Sequence, residues 1–283
     1  MADTKETVKE LERIASRCRR SVIRMVRSSG AGHMGGAMSC MDIVAALYFH
    51  AMNVDPAYPN KPDRDRFVLS AGHKCMAQYA ALAERGFFDF SELDTYGKLN
   101  TKLPGHPDMH KLPGVEANTG ALGHGLSISV GMSLGLKRSH PGARVFAVMG
   151  DGELPEGSNW EAASAASHYG LDNLTVFVDD NGLQISGRTV DIMNMEPVGA
   201  RFAAFGWATK DIDGNDMSEV VEALEKLPIE RGRPTAVIAH TVKGKGLSFA
   251  EGKVSCHYWK PKEDELLQAE RELDEAVKRG GAA

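Results

Sequence analysis

The stretch 143–187, ARVFAVMGDGELPEGSNWEAASAASHYGLDNLTVFVDDNGLQISG, constrains the fold more than any other part of the chain. Residues 145–149 are a short apolar run between a polar start and Gly150-Asp151-Gly152. That pattern predicts a buried parallel strand, which is covered on both faces and needs no polar alternation. Residues 159–169 are Ala-rich with apolar positions at helical spacing, and 174–178 form a second apolar run that stops at Asp179-Asp180-Asn181-Gly182. Strand, helix, strand is the crossover unit of a parallel sheet. Both polar clusters then leave the sheet at the carboxyl ends of its strands, the edge where open α/β sheets take ligands.

The rest of the chain continues the alternation. Further strands are predicted at 65–70, 207–212 and 235–240, and helices at 5–27, 40–50, 75–84, 127–138, 196–205, 216–227 and 262–279, with a short helix at 91–97 and a frayed tail at 280–283. The fold class is therefore α/β: an open, mainly parallel sheet with helices on both faces, in a single domain over residues 1–283. In helix 5–27 the apolar stripe is Leu11, Ile14, Ala15, Cys18, Val22, Met25 and Val26, and the arginines at 17, 19, 20, 24 and 27 read as a solvated face, with a dimer contact as the alternative.

Composition excludes several function classes. A net charge of −5 argues against a general nucleic-acid binder, whose affinity rests on neutralising phosphates. The chain has no apolar run of about 18 residues, hence no membrane-spanning helix is expected, and its acidic, polar start is unlike a targeting peptide. The four cysteines show no CxxC spacing and read as reduced, mostly buried thiols of a cytoplasmic protein.

The chemistry available at the sheet edge is specific. Asp151 offers a hard anionic oxygen and Asn181, thirty positions later, a neutral amide oxygen. Magnesium takes few protein ligands and completes its octahedron with water and substrate phosphates, so this pair suits a metal-bound diphosphate. Either piece alone also reads as a tight turn; their pairing on consecutive strands favours the metal–diphosphate site. Further histidines sit in Gly- and Pro-rich loops: His33 within Gly30-Ala31-Gly32-His33-Met34-Gly35-Gly36, His73 after the strand at 65–70, His106 in Pro104-Gly105-His106-Pro107, and His257 in Val254-Ser255-Cys256-His257. The segment 102–120 is a long loop without predicted regular structure, and loops of that length are usually functional or disordered. His110 reads as exposed, and Thr241-Val242-Lys243-Gly244-Lys245-Gly246 as a basic turn, a surface hinge or a diphosphate neighbour.

GDGELPEG followed by VDDNGLQISG resembles the thiamine diphosphate signature of transketolases. SGAGHMGG, LSAGH, PGHPD, TGALGHG and VSCH resemble, in order, further motifs of that family, over roughly residues 7–275. The resemblance implies thiamine diphosphate with Mg²⁺ (or Ca²⁺ or Mn²⁺), the metal held by the side chains of Asp151 and Asn181 and the carbonyl of Leu183. It places Gly152 and His73 against the diphosphate and the Gly120-Ala121-Leu122 backbone at the aminopyrimidine ring. His33, His106 and His257 fall at the sugar substrate, with His257 reaching the cofactor as well, and Glu156 in a carboxylate network across a subunit interface. Met34, Asp108 and His124 stand where the family commonly has proline, glutamate and glutamine.

What is matched is the diphosphate-binding domain alone. The resemblance therefore implies one subunit of a split transketolase, working with a separate pyrimidine-binding subunit, expected as an α2β2 assembly. The pair would move a two-carbon glycolaldehyde unit from a ketose phosphate to an aldose phosphate. A pentose phosphate is the default sugar and a specialised catabolic ketose the variant. Alternatives are a 1-deoxyxylulose-5-phosphate synthase-like enzyme, the α subunit of a 2-oxo acid dehydrogenase, or a non-catalytic cofactor-binding regulatory subunit.

Overall fold

The computed structural model describes residues 2–281. In chain order its elements are α1 (Ala2–Ser29), α2 (Met34–Ser39), α3 (Met41–Ala46), β1 (Arg66–Leu69), α4 (Cys75–Arg85), α5 (Gly125–Ser139), β2 (Val145–Gly150), α6 (Gly157–His168), β3 (Leu174–Asp180), β4 (Leu183–Gln184), β5 (Gly187–Arg188), α7 (Thr189–Ile192), α8 (Val198–Ala204), β6 (Ala208–Asp213), α9 (Met217–Glu225), β7 (Thr235–His240) and α10 (Glu263–Gly281). Five strands form one parallel sheet in the order β1-β2-β3-β7-β6. The α/β class and the parallel sheet agree with the expectation from sequence.

Alternation along the buried strands divides the core in two. Phe67, Leu69, Phe146, Val148, Phe177 and Val237 face the helices α1, α3, α4, α9 and α10. Val68, Val145, Ala147, Met149, Val176, Val178 and Ile238 face α5, α6 and α8. Side chains of a strand point alternately to opposite faces, so continuous apolar runs fill both layers. Helices thus cover both faces, and the carboxyl edge of the sheet is left for loops.

Several local expectations are corrected. The helix expected over 40–50 is α3 followed by a π turn at Leu47–Ala51. Residues 34–36, expected as loop, open α2, although two glycines make a poor helix start. Packing decides here: a Cβ on Gly35 would lie 2.5 Å from Cys256 Sγ, so only glycine admits the contact that fixes the turn. The arginines of α1 form a solvated face only in part. Arg19 is buried and forked onto Asp42 (2.6 and 2.9 Å), while Arg17, Arg20, Arg24 and Arg27 pair with Glu84, Asp274, Asp94 and Glu270 on neighbouring elements. The tail expected from 280 is helical to Gly281, and residues 282–283 lie outside the described residues. All four cysteines are free and buried, and burial pushes Cys40 and Cys75 up to about 12, which leaves them as thiols. Among the described residues no helix is long and apolar enough to cross a membrane.

Candidate functional site

The strand ends deliver the site. β1 runs into Ser70-Ala71-Gly72-His73, β2 into Asp151, β3 into Asn181, and β7 into Thr241 and Lys243. Because all four strands are parallel, with Leu69 beside Val148, Gly150 beside Asp179 and Asp180 beside His240, these groups converge on one edge. A cavity of about 370 Å³ opens there, lined by His33, His73, Lys74, Asp151, Asn181, Leu183, Lys243 and His257 among others.

The histidines, distant in sequence, meet. The ring centroid of His33 lies 5.4 Å from His73, 5.5 Å from His257 and 6.1 Å from His106, and His73 lies 5.3 Å from His257. His33, His73 and His257 line the cavity, and His106 lies against Gly120 of its wall. Burial, aided by Lys74 and other neighbouring cationic and histidine groups, holds His73 down to about 2; burial and then Lys243 hold His257 at about 4. Burial also lowers His33, with His106 and Lys243 adding to it, and lowers His106. These rings are therefore neutral near pH 7, each offering one N–H and one lone pair, the form suited to positioning hydroxyls and relaying protons.

A tyrosine hydroxyl and a glycine hold the PGHP loop in place. The Tyr79 hydroxyl lies 3.0 Å from the Pro104 carbonyl and 3.1 Å from that of His106. Gly120 adopts φ +139°, and a Cβ there would sit 2.6 Å from His106 Cδ2, so the glycine seats the imidazole.

Asp151 is buried, and its carboxylate accepts from Gly152 N (2.8 Å) and Gly182 N (2.7 Å). Burial raises it to about 7, against the opposing pull of Lys74 and with help from Asp179 and Asp180. Among the described residues this carboxylate forms no direct ion pair, Lys74 being taken up by Asp179. Asn181 Oδ1 accepts from Leu183 N at 3.2 Å, and the Leu183 carbonyl accepts from Lys243 Nζ at 2.8 Å, so that oxygen already draws a cation. These hard oxygens fit a magnesium ion that takes its remaining ligands from phosphate and water. Among the described residues no cluster of three His, Cys, Asp or Glu offers an all-protein metal cage, as that coordination habit requires none.

Sequence reasoning missed several groups. Lys74, beside the singled-out His73, is buried and paired with Asp179 at 2.5 Å. Lys243 is buried, not a surface hinge, and bonds Leu183 and His257 Nδ1 (3.0 Å), whereas Lys245 lies at the surface near Glu251. Glu153 is buried beneath the GDG turn, accepting from Ser70 Oγ and from Gly150 N at 3.3 Å. The small hairpin of β4 and β5, with α7 behind it, brings Gln184, Ile185 and Ser186 to the cavity. Its strands of two residues are too short to carry a period.

Of the predicted residues, Gly120, Leu122, Gly152, Asp151, Asn181 and Leu183 line the cavity together with the three inner histidines. Ala121 and Glu156 are exposed and stand outside it, Glu156 beside Gly123 at the start of α6. His124 is exposed and turned back on the Leu122 carbonyl, and His110 is exposed as expected.

Residues 11–276 match the family described as transketolase, thiamine diphosphate binding domain. The chain is 44% identical over 265 residues to one subunit of the apulose-4-phosphate transketolase of Actinobacillus succinogenes, covering 93% of this chain and 96% of that one. It is 41% identical to the 6-deoxy-6-sulfo-D-fructose transketolase subunit SqwG of a Clostridium species, covering 94% and 96%. The transketolase of Campylobacter jejuni superposes with a TM-score of 0.86 at 30% identity over 95% of this chain, which spans 45% of that structure's chain. The R525L transketolase of Pichia stipitis gives 0.85 at 28% identity, over 96% of this chain and 45% of that one. The chain belongs to the transketolase family, as a thiamine diphosphate-binding domain of that fold.

Proposed function

We propose that this transketolase-family chain is the diphosphate-binding subunit of a split enzyme that moves a two-carbon glycolaldehyde unit from a ketose phosphate to an aldose phosphate, active only with a pyrimidine-binding partner in an α2β2 assembly. The observation that carries the reading is the meeting of neutral histidines and hard oxygen donors in one cavity flanked by two buried lysines. Relatives matched over nearly their whole length are named as subunits, which supports the need for a partner.

Asp151, Asn181 and the Leu183 carbonyl would hold the Mg²⁺, with Ca²⁺ or Mn²⁺ as substitutes. Lys74, Lys243, Gly152 and His73 would receive the diphosphate, the lysines offsetting its charge. The backbone of Gly120, Ala121 and Leu122 would meet the aminopyrimidine. Thiamine diphosphate, when bound, supplies the carbanion-stabilising chemistry that a protein side chain cannot. His33, His106 and His257 orient the sugar hydroxyls and carbonyl and hold or release protons there, a duty their neutral state permits. Glu156, outside the cavity, is free to reach a carboxylate of the partner. Two relatives are named for apulose 4-phosphate and a sulfonated fructose, which favours a specialised ketose over a common pentose phosphate.

The test is activity of the chain by itself and mixed with its partner, in Mg²⁺ and thiamine diphosphate, on xylulose 5-phosphate and apulose 4-phosphate with an aldose acceptor. Activity confined to the mixture is expected. Calorimetry of Asp151→Ala should show cofactor affinity lost with thermal stability kept; retained affinity overturns the metal assignment.

A further inference from the structure

The family motif ends at His257, and the residue that follows has no role in the proposed reaction. Tyr258 packs its ring on His33, with centroids 4.8 Å apart and planes at 69°, closer than any of the other histidines come. Its position is fixed by its neighbour. Trp259 forms an isolated antiparallel bridge with Gly32, donating to Gly32 O (2.8 Å) and accepting from Gly32 N (3.0 Å), and its buried indole packs on Phe249 at 5.5 Å. The loop carrying His33 and the segment carrying His257 are thus clipped together, with Tyr258 between them.

Tyr258 is nonetheless 51% exposed, and its hydroxyl makes no hydrogen bond among the described residues. The buried tyrosines differ: Tyr48 accepts from Gln78 Nε2, Tyr79 meets two carbonyls, and Tyr96 meets Cys75 Sγ. A rigidly held ring with a free phenol, set against a histidine of the site, is shaped to meet a ligand. Tyr258 and His106 both meet the ring of His33, which lines the cavity, and neither lines the cavity itself.

The geometry points to Tyr258 as a specificity-determining residue for the sugar: the ring walls the entrance beside His33, and the phenol bonds a hydroxyl on the ketose carbons beyond the reacting centre. This rests on the proposed transferase reading, and the chemistry it would recognise is a polyol chain several carbons long.

The experiment uses the chain with its partner, Mg²⁺ and thiamine diphosphate, glycolaldehyde as common acceptor, and xylulose 5-phosphate, fructose 6-phosphate and sedoheptulose 7-phosphate as donors, with erythrulose formation as the readout. Tyr258→Phe should raise donor KM about fivefold, the loss of one neutral hydrogen bond, with kcat, cofactor affinity and Tm unchanged. Tyr258→Ala should change the ratio of kcat/KM between the five- and seven-carbon donors by about tenfold, as removal of a pocket wall does. Both quantities within twofold of wild type overturn the proposal, as does a fall in kcat that tracks cofactor affinity. If the wild-type mixture turns over none of these donors, apulose 4-phosphate is tried as donor; the transferase reading fails if that too is inert, and calorimetric titration of all four sugars into the loaded mixture decides Tyr258 separately. Binding about fivefold weaker in Tyr258→Phe then supports it; equal binding, or none, overturns it.

Discussion

Lys74→Met is expected to be the most damaging single change at the sheet edge that leaves side-chain volume nearly unaltered. Lys74 is 2% exposed and Asp179 fully buried, and their charged atoms lie 2.5 Å apart. Burial alone would drag the ammonium down, yet the carboxylate outweighs it and holds Lys74 above its ordinary range. Removing one member of such a pair costs about 3–5 kcal/mol, because the other charge is left without a partner in a low dielectric. Asp179 keeps neutral donors after the change: Ser39 Oγ at 2.7 Å, Asn181 Nδ2 at 3.2 Å and the Thr241 hydroxyl. These blunt the loss, placing the expectation at the lower end, about 3 kcal/mol. For a chain of this size that corresponds to a Tm lower by about 6 °C, at roughly 2 °C per kcal/mol. Thermal unfolding by circular dichroism at pH 7 without ligands reads it directly. Lys74→Met/Asp179→Asn should recover most of the loss, since no unpaired charge is left and the amide oxygen still accepts from the neighbouring donors. A single variant melting within about 2 °C of wild type, or a double variant worse than the single, would refute the argument that the pair is held by mutual charge.

Arg19→Met should likewise lose about 3 kcal/mol, because it strands a buried Asp42 that, among the described residues, retains only Asn215 Nδ2 at 2.8 Å as a side-chain donor; Arg27→Ala, whose partners lie at the surface, should change denaturant stability by less than about 1 kcal/mol. Acid should weaken the fold through the histidine cluster. A ring kept neutral in the native state gains its proton on unfolding, so its contribution is present above about pH 6.5 and lost as pH falls toward the native value. For His73, held at about 2, the loss reaches about 2 kcal/mol at pH 5, and His73→Asn should flatten the stability–pH profile between 6.5 and 4 in proportion. Gly120→Ala should displace His106, from which its Cβ would be only 2.6 Å, and lower kcat/KM of the reconstituted enzyme at least tenfold with little change in Tm; unchanged kinetics would remove the glycine's role in seating that ring.

Legibility in the sequence followed the physical reach of each signal. The sheet was readable because buried parallel strands leave unbroken apolar runs and stop at Gly, Asp and Asn, and the run at 235–240 coincides with β7. Asp151 and Asn181 were readable because their strands are consecutive in the chain and adjacent in the sheet, so local spacing carried a three-dimensional statement. Lys74, Lys243 and Arg19 were not, because a cation's burial depends on a carboxylate or carbonyl far away in the chain. Asp179 follows Lys74 by 105 residues and Asp42 follows Arg19 by 23, and composition alone assigns such residues to the surface. Helix α2 was hidden for the same reason: its glycines advertise a loop, and the distant residues that crowd them, Cys256 at Gly35 and Lys74 at Gly36, cannot be read locally. His33 and Tyr258 mark the boundary between the two cases. Each lies in an irregular segment whose local sequence says only that the chain bends. The bridge between Gly32 and Trp259 gives both a shared geometry, and a long-range backbone pairing of that kind turns two loops into one wall of a binding site.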